Sequence, residues 1–363
     1  VRLPSQPQVL FAQVQEALQG ANVLFGNFES TLTTHPFTPK NITTGRAFAF
    51  RTPPAYAKVL RQAGFNILSV ANNHSFDFDS QGFRDTIRHI EAAEMAAVGR
   101  KGQIYYRTIN GISTAWIAFS TYYEHNSVLD LPTMQALVRQ ARQKAPIVII
   151  SFHAGTEGID ATRTRDQTET FFSENRGNVV RFSRRAIEAG ADLVLGHGPH
   201  VPRAIELYQG RLIAYSLGNF VGYQSLATVG ALGDSLVLQV QLDPNGKFVR
   251  GQIIPIRLNG QGIPAPDPKG NSIQLIRQLT RLDFPKTPLQ ISPTGEITPI
   301  LPPAPSTPKP APKPTGSPQP TSSPQPTGVP SPTTSPAPNS PALTNPPSPA
   351  ISPQPAAPKN GKK

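Results

Sequence analysis

Four short apolar runs, far apart in the sequence, each break off into the same kind of polar residue, and this recurrence constrains the fold most. "VLFGN" ends at Asn27 with Glu29 two residues on; "ILSVA" ends at Asn72, Asn73 and His74; "IVIISF" ends at His153; "LVLG" ends at His197, with His200 just behind. Continuous β-rich runs separated by stretches of helical period are the pattern of strands buried on both faces in an α/β sheet. In such sheets ligands bind beyond the carboxyl ends of the strands, which is where these polar residues fall.

Between the runs, residues 9–21, 53–65, 80–95 and 132–144 have helical period. The second of these opens on prolines and stops at Gly64, the third is capped by Ser80, and helical sequence continues after residue 155 to Ala189. Strands are expected at 22–27, 66–71, 105–109, 113–120, 145–155 and 191–200. A hairpin turning at Gln209–Gly210 follows, then strands at 235–242 and 247–257 about "DPNGK". From 258 to 300 the sequence thins into Pro- and Gly-rich stretches with one short helix near 272–282.

Residues 301–363 hold 22 of the 41 prolines, five lysines and no acidic or aromatic residue. Such a segment buries too little apolar surface to offset chain entropy and reads as a disordered Pro/Ser/Thr-rich spacer. The remainder carries 29 basic against 22 acidic residues, a mild excess suited to an anionic substrate or surface. It lacks the basic blocks and interleaved aromatics of a nucleic-acid binder. The absence of cysteine excludes disulfides, thiol catalysis and Cys-ligated zinc. No run approaches the roughly 20 apolar residues of a membrane-spanning helix.

Neutral imidazoles together with carboxylate and amide oxygens suit divalent ions such as Zn, Fe or Mn. Each residue also has a plainer reading. Asn27 and Glu29 are common turn residues, Asn72 and Asn73 fit a left-handed turn, and a lone His153 after a buried strand is often a satisfied core histidine. His197 and His200 are set among Gly196, Gly198 and Pro199, where glycine permits close approach to a ligand. Four of the seven histidines fall at strand ends, which favours a site; His35, His89 and His125 read as surface or structural. Asp77 and Asp79 read as caps of the following helix, with Asp77 alternatively orienting His74 as its acceptor.

These residues also carry a resemblance. "GNFEST", "LRQAGFNILSVANNHSFD", "SFHAGTE" and "GADLVLGHGPHVPRAIELYQGRLIAYSLGNFV" together resemble the CapA family of poly-γ-glutamate capsule synthesis proteins, within the metallophosphatase (calcineurin-like phosphoesterase) superfamily, over residues 9–257. The resemblance implies an α/β fold, a four-layer αββα sandwich with one or two divalent ions (Mn, Fe or Zn) at its strand ends. It implies Glu29 as bridging acid, Asn73, His153, His197 and His200 as metal ligands, and His74 as catalytic general acid. Asn27, Asp77, Glu157 and Asn219 then contact substrate or orient the ligands.

One departure stands out: the family's pattern begins with a strand ending in Gly-Asp, and nothing before Glu29 supplies it. The chain is thus expected to be a fragment or to bind one ion at most. The domain reading is a CapA-like domain over 1–258, a peripheral extension over 259–300 and the tail over 301–363. The implied function is metal-dependent hydrolysis of a phosphoester or an anionic polymer in capsule or envelope biosynthesis. The alternative is a non-catalytic envelope accessory that binds an anionic polymer or partner proteins. Capsule-synthesis membrane proteins are expected partners and nucleic acid is not. The expected location is extracytoplasmic, in the envelope or periplasm, with anchoring through a segment outside this sequence.

Overall fold

The computed structural model describes residues 3–44 and 47–300; the tail expected at 301–363 lies outside the described residues. Three parallel strands, β1 (Phe25–Asn27), β2 (Ile67–Ser69) and β3 (Ala96–Val98), form one small sheet in the order β1-β2-β3. A seven-stranded sheet follows from β4 (Tyr105–Ile109), β5 (Ile112–Ser120), β6 (Ile147–His153), β7 (Leu193–His197), β8 (Ile205–Tyr208) and β9 (Arg211–Ala214). Its order is β8-β9-β7-β6-β5-β4, with the two residues Asn126–Ser127 beside β5. Strands β5, β6, β7 and β9 are parallel, and the expected hairpin joins β8 to β9 through Gln209 and Gly210, both at positive φ.

Five further strands, β10 (Asp234–Leu242), β11 (Phe248–Leu258), β12 (Pro264–Pro266), β13 (Leu289–Ile291) and β14 (Glu296–Pro299), form a five-stranded sheet of order β10-β11-β14-β13 with β12 on β11, and Thr31–Leu32 pairs in parallel with Arg51–Thr52 apart from it. Five helices, α1 (Tyr56–Gln62), α2 (Asp79–Ala92), α3 (Leu131–Arg142), α4 (Val179–Ala189) and α5 (Asn271–Asp283), complete the described fold.

Alternation along the central strands defines the layers. Ile117, Val148, Ile150 and Val194 face α3 and α4 through Met134, Val138, Phe182 and Ala186. Their neighbours Trp116, Ile149, Leu193 and Leu195 face the other way, onto Ile67 and Val98 of the small sheet and Leu236 and Ile253 of the five-stranded one. The far faces of those two sheets, through Leu68, Ala97 and Ile256, pack on Val59 of α1 and Ile87 and Ile90 of α2. Helix, sheet, sheet, helix: the architecture is the αββα sandwich. The two sheets of the second layer share this face without a strand joining them, and β1 pairs with β2 alone among the described residues.

Several expectations change. Residues 9–21 are not an α-helix: a 3₁₀ turn (Pro7–Leu10) leads into successive turns whose amides bond three residues back, as from Val14 to Phe11 and from Gln19 to Glu16. The apolar period is satisfied nonetheless, since Leu10, Phe11, Val14 and Leu18 are all buried. The stretch from 156 to 178 is a loop carrying the short antiparallel pair Thr170–Phe171 and Glu174–Asn175, and α4 starts only at Val179, capped by Asn178 accepting from the Arg181 amide. Ser80 is not a cap, because α2 already begins at Asp79. The segment 259–300, expected to be peripheral, supplies three strands to the second layer and buries Ile273, Ile276 and Leu279 of α5 in the core.

Candidate metal centre

The parallel strands bring their polar ends to one edge. Cα pairing sets His197 of β7 directly beside His153 of β6, and Asn27 of β1 beside Ser69 of β2, three residues before Asn72. The turn after β7 needs Gly198: it lies at φ 118°, and a Cβ there would stand 2.7 Å from the Ala154 carbonyl oxygen. His200 follows with φ 63°, a left-handed conformation that a bulky residue adopts only when its surroundings impose it.

At this edge four side chains converge. His153 Nε2 and His200 Nε2 each lie 3.7 Å from Glu29 Oε1, and His200 Nε2 lies 3.7 Å from Glu157 Oε2. Neighbouring groups aim them. Asn27 Nδ2 donates to Glu29 Oε2 at 3.3 Å, and His200 Nδ1 donates to Asn219 Oδ1 at 2.7 Å. Asn72 ties the two turns together, donating to Asn27 Oδ1 and the Phe28 carbonyl while accepting from the His74 amide. Asn72 therefore builds the turn, and the side-chain oxygen of Asn73 has no hydrogen-bond partner among the described residues.

Several of these buried atoms have no hydrogen-bond partner among the described residues: Glu29 Oε1, Asn73 Oδ1, both ring nitrogens of His153, and His197 Nε2. A buried polar atom left unsatisfied costs about 1–3 kcal/mol, and native proteins rarely tolerate a group of them without a ligand. The donor set fits a divalent ion. Two atoms each about 2.1 Å from one ion stand about 3–4 Å apart, the separation seen between Glu29 and its two histidines. Among the described residues no group of three or more His, Asp or Glu side chains is already arranged to hold a metal ion.

Electrostatics favour the ligand form of the imidazoles. Burial holds His153 well below the ordinary histidine value, and Arg176, His200, His197 and His74 nearby add to this. Burial alone brings His197 down to about 4. Both are neutral at pH 7, as metal ligands must be. Glu157 is raised by burial against the opposing pull of Arg176.

His74 is held differently. Its Nδ1 donates to Asp77 Oδ2 at 2.7 Å, and the Phe50 ring stacks on it with centroids 4.1 Å apart. Asp77 is fully buried; it also accepts from the Phe50 amide at 2.6 Å and pairs with Lys40, whose ammonium reaches the Asn73 carbonyl as well. Of the two readings of Asp77, the geometry supports orientation of His74, since α2 starts beyond it with no side-chain cap. Asp79 does act locally, accepting from the Ser80 amide.

Lys40, Phe50 and Arg176 were invisible in the sequence. The first two lie in an irregular segment without periodicity. The third lay in sequence read as helix, yet its buried guanidinium donates to the Gly155 carbonyl and pairs with Glu157 at 2.8 Å. Only an arginine inside an otherwise helical-looking run hinted at it.

The sequence of this chain is similar to those of known proteins. A family model described as "Bacterial capsule synthesis protein PGA_cap" matches residues 3–224. The PGA biosynthesis protein CapA of Bacillus subtilis (strain 168) is 28% identical over 291 residues, covering 75% of this chain and 71% of its own. The capsule biosynthesis protein CapA of Bacillus anthracis is 26% identical over 297 residues, covering 75% and 67%. A 5′-nucleotidase precursor from Thermus thermophilus superposes with a TM-score of 0.41 at 12% identity, over 75% of this chain and 52% of that one. With the family model spanning more than half its length and every strand-end residue of the site inside the match, the chain belongs to the bacterial capsule synthesis protein family, PGA_cap.

Proposed function

We propose that this chain is a divalent-metal-dependent hydrolase of envelope polymer biosynthesis, acting on a phosphoester or on a bond within an anionic polymer. One observation carries the reading: buried, unpartnered donors from strand ends in two different sheets face one another at the edge where α/β folds bind ligands. Glu29, Asn73, His153, His197 and His200 would hold the metal, one ion or two. A divalent ion in that place polarises an ester or amide oxygen and acidifies water.

The chain's own residues do the rest. Asp77 fixes the His74 ring with its Nδ1 proton committed, which leaves Nε2 to carry a proton to a departing group. Phe50 covers one face of that ring and keeps water from it. Asn27 and Asn219 hold Glu29 and His200 in orientation, and Arg176 restrains Glu157 beside them. Membership of the family and the printed names of the Bacillus relatives motivate the polymer half of the reading, together with capsule-synthesis partners and an extracytoplasmic place at the envelope. Among the described residues no helix is long and apolar enough to cross a membrane.

Metal content by mass spectrometry on the purified chain, beside His153→Ala and His197→Ala, tests the centre. One to two equivalents in the parent and loss in both variants support it. No metal after reconstitution with Mn, Fe and Zn would leave the accessory that binds polymer or partners without catalysis. Turnover of bis(p-nitrophenyl) phosphate then tests His74→Ala: metal retained with turnover gone supports the acid role, and undiminished turnover removes it.

A further inference from the structure

Of the eleven large apolar or aromatic side chains exposed among the described residues, eight stand in loops that follow the carboxyl ends of parallel strands. Phe37, Ile42 and Phe48 follow β1; the other five follow β5, β6 and β9, among them Tyr123, Phe172 and Val229. The remaining three lie elsewhere: Val249 within β11, Leu282 within α5, and Ile300 at the end of the described residues. The loops that lead from a helix back into a parallel strand expose none. Single exposed apolar residues scattered over a surface need no explanation, but eight gathered at one edge do. That edge is the one that carries the candidate metal centre.

Charge separates one part of this rim from the rest. From Ser30 to Phe76 the sequence contains five Lys or Arg and no Asp or Glu, whereas the other rim loops carry acids such as Glu124, Asp160 and Glu174. The loop that bears Phe37, Ile42 and Phe48 is braced from within. Arg51 Nη1 donates to the His35 carbonyl at 3.1 Å, and Lys40 Nζ donates to the Phe48 carbonyl at 3.3 Å while pairing with Asp77. So held, the three apolar side chains are 57%, 50% and 61% exposed. Phe48 stacks on Phe50 with centroids 6.4 Å apart, and Phe50 in turn covers His74.

We propose that Phe37, Ile42 and Phe48, with Lys40 and Arg51 among them, form a docking surface for an anionic lipid bilayer, which sets the candidate metal centre at the membrane–water interface. The chemistry chooses among occupants. An anionic polymer would pair with the lysine and arginine but leave three large apolar side chains in water. A bilayer takes up both: apolar side chains enter the acyl boundary, and basic ones stay among the anionic headgroups. A folded protein partner needs a packed, matching face. A fluid interface needs none, which suits side chains presented one by one from a loop rather than along a helix or strand.

The test uses the full chain and vesicles of phosphatidylcholine with about one-third phosphatidylglycerol, in about 0.1 M salt, where the Debye length is about 10 Å. The expected result is partition onto these vesicles that weakens about tenfold or more when Phe37→Ser, Ile42→Ser and Phe48→Ser are combined. The three side chains already stand in water, so the thermal midpoint should not move. In a separate Phe48→Trp variant the introduced indole should shift its emission to the blue and be quenched by lipids brominated in the acyl chain. Trp116, the chain's own indole, is buried and gives a constant background. Absence of partition by the parent overturns the proposal. So does partition that survives the triple substitution, which would assign it to the lysines of residues 301–363, and so does an unquenched indole in bound protein. A dimer that dissolves on the triple substitution, without vesicle binding, also overturns it and makes the surface an interface between copies of this chain. None of these readouts requires metal or turnover, so the result is separable from the hydrolase reading.

Discussion

Single residues at this centre trade stability for a ligand-ready state. His153 and His197 are neutral because burial opposes their charge, so the unfolded chain binds protons that the folded one refuses. The consequence has a sign. In the chelator-treated chain, stability is level above about pH 7 and falls as pH drops from about 6.5 towards about 4, by up to about 3 kcal/mol for His197 alone. Urea midpoints measured across that range check this, and His197→Gln should flatten much of the slope. Asp77→Asn makes a second case. It keeps the shape but weakens the hold on His74 Nδ1 and leaves Lys40 beside a neutral amide. Turnover should drop by about 10²-fold or more with metal content unchanged; equal turnover would show that His74 needs no orienting carboxylate.

Elements differ in how far they could be read in advance. The strands that deliver the site were legible because their apolar runs are continuous and end abruptly, and the hairpin at Gln209–Gly210 was legible from its turn residues. The strands β12 to β14 were not: "PAP" and "EITP" are short and contain proline, and they become strands because β11 offers an edge to β12 and β14, with β13 pairing on β14. The loop from 156 to 178 was misread as helix because composition cannot reveal what pins it. Arg203, fully buried, donates to both oxygens of Glu169 at 2.9 and 2.8 Å and to the Ala161 carbonyl. Arg176 does similar work at the other end. For the same reason Glu157 could be nominated from its motif, whereas its partner could not. Arg203→Ala should leave Glu169 buried and unpaired and cost about 3–5 kcal/mol, read as a lowered thermal midpoint; Arg203→Lys should recover only part of it.

At the scale of the whole molecule, the candidate ligands are divided between layers: Glu29 and Asn73 come from the small parallel sheet, and His153, His197 and His200 from the seven-stranded one. An ion bound there stabilises the folded chain by mass action, by about 2.7 kcal/mol at a hundredfold excess over its dissociation constant. Chelation should therefore lower the thermal midpoint by a few degrees, and Glu29→Gln or His153→Ala should make the midpoint insensitive to chelator. A chain whose midpoint ignores chelator from the outset would carry no ion across that edge. The divided ligand set also has a mechanical meaning. Such an ion is a rivet between two plates, tight only while the plates stay in register, so a substitution deep in the packed seam, such as Ile149→Ala, should loosen the rivet well before it unfolds the plates. Ion affinity would then gauge the fit of the seam at a distance, and a weakened hold on metal would be the earliest sign that the layers had begun to slip.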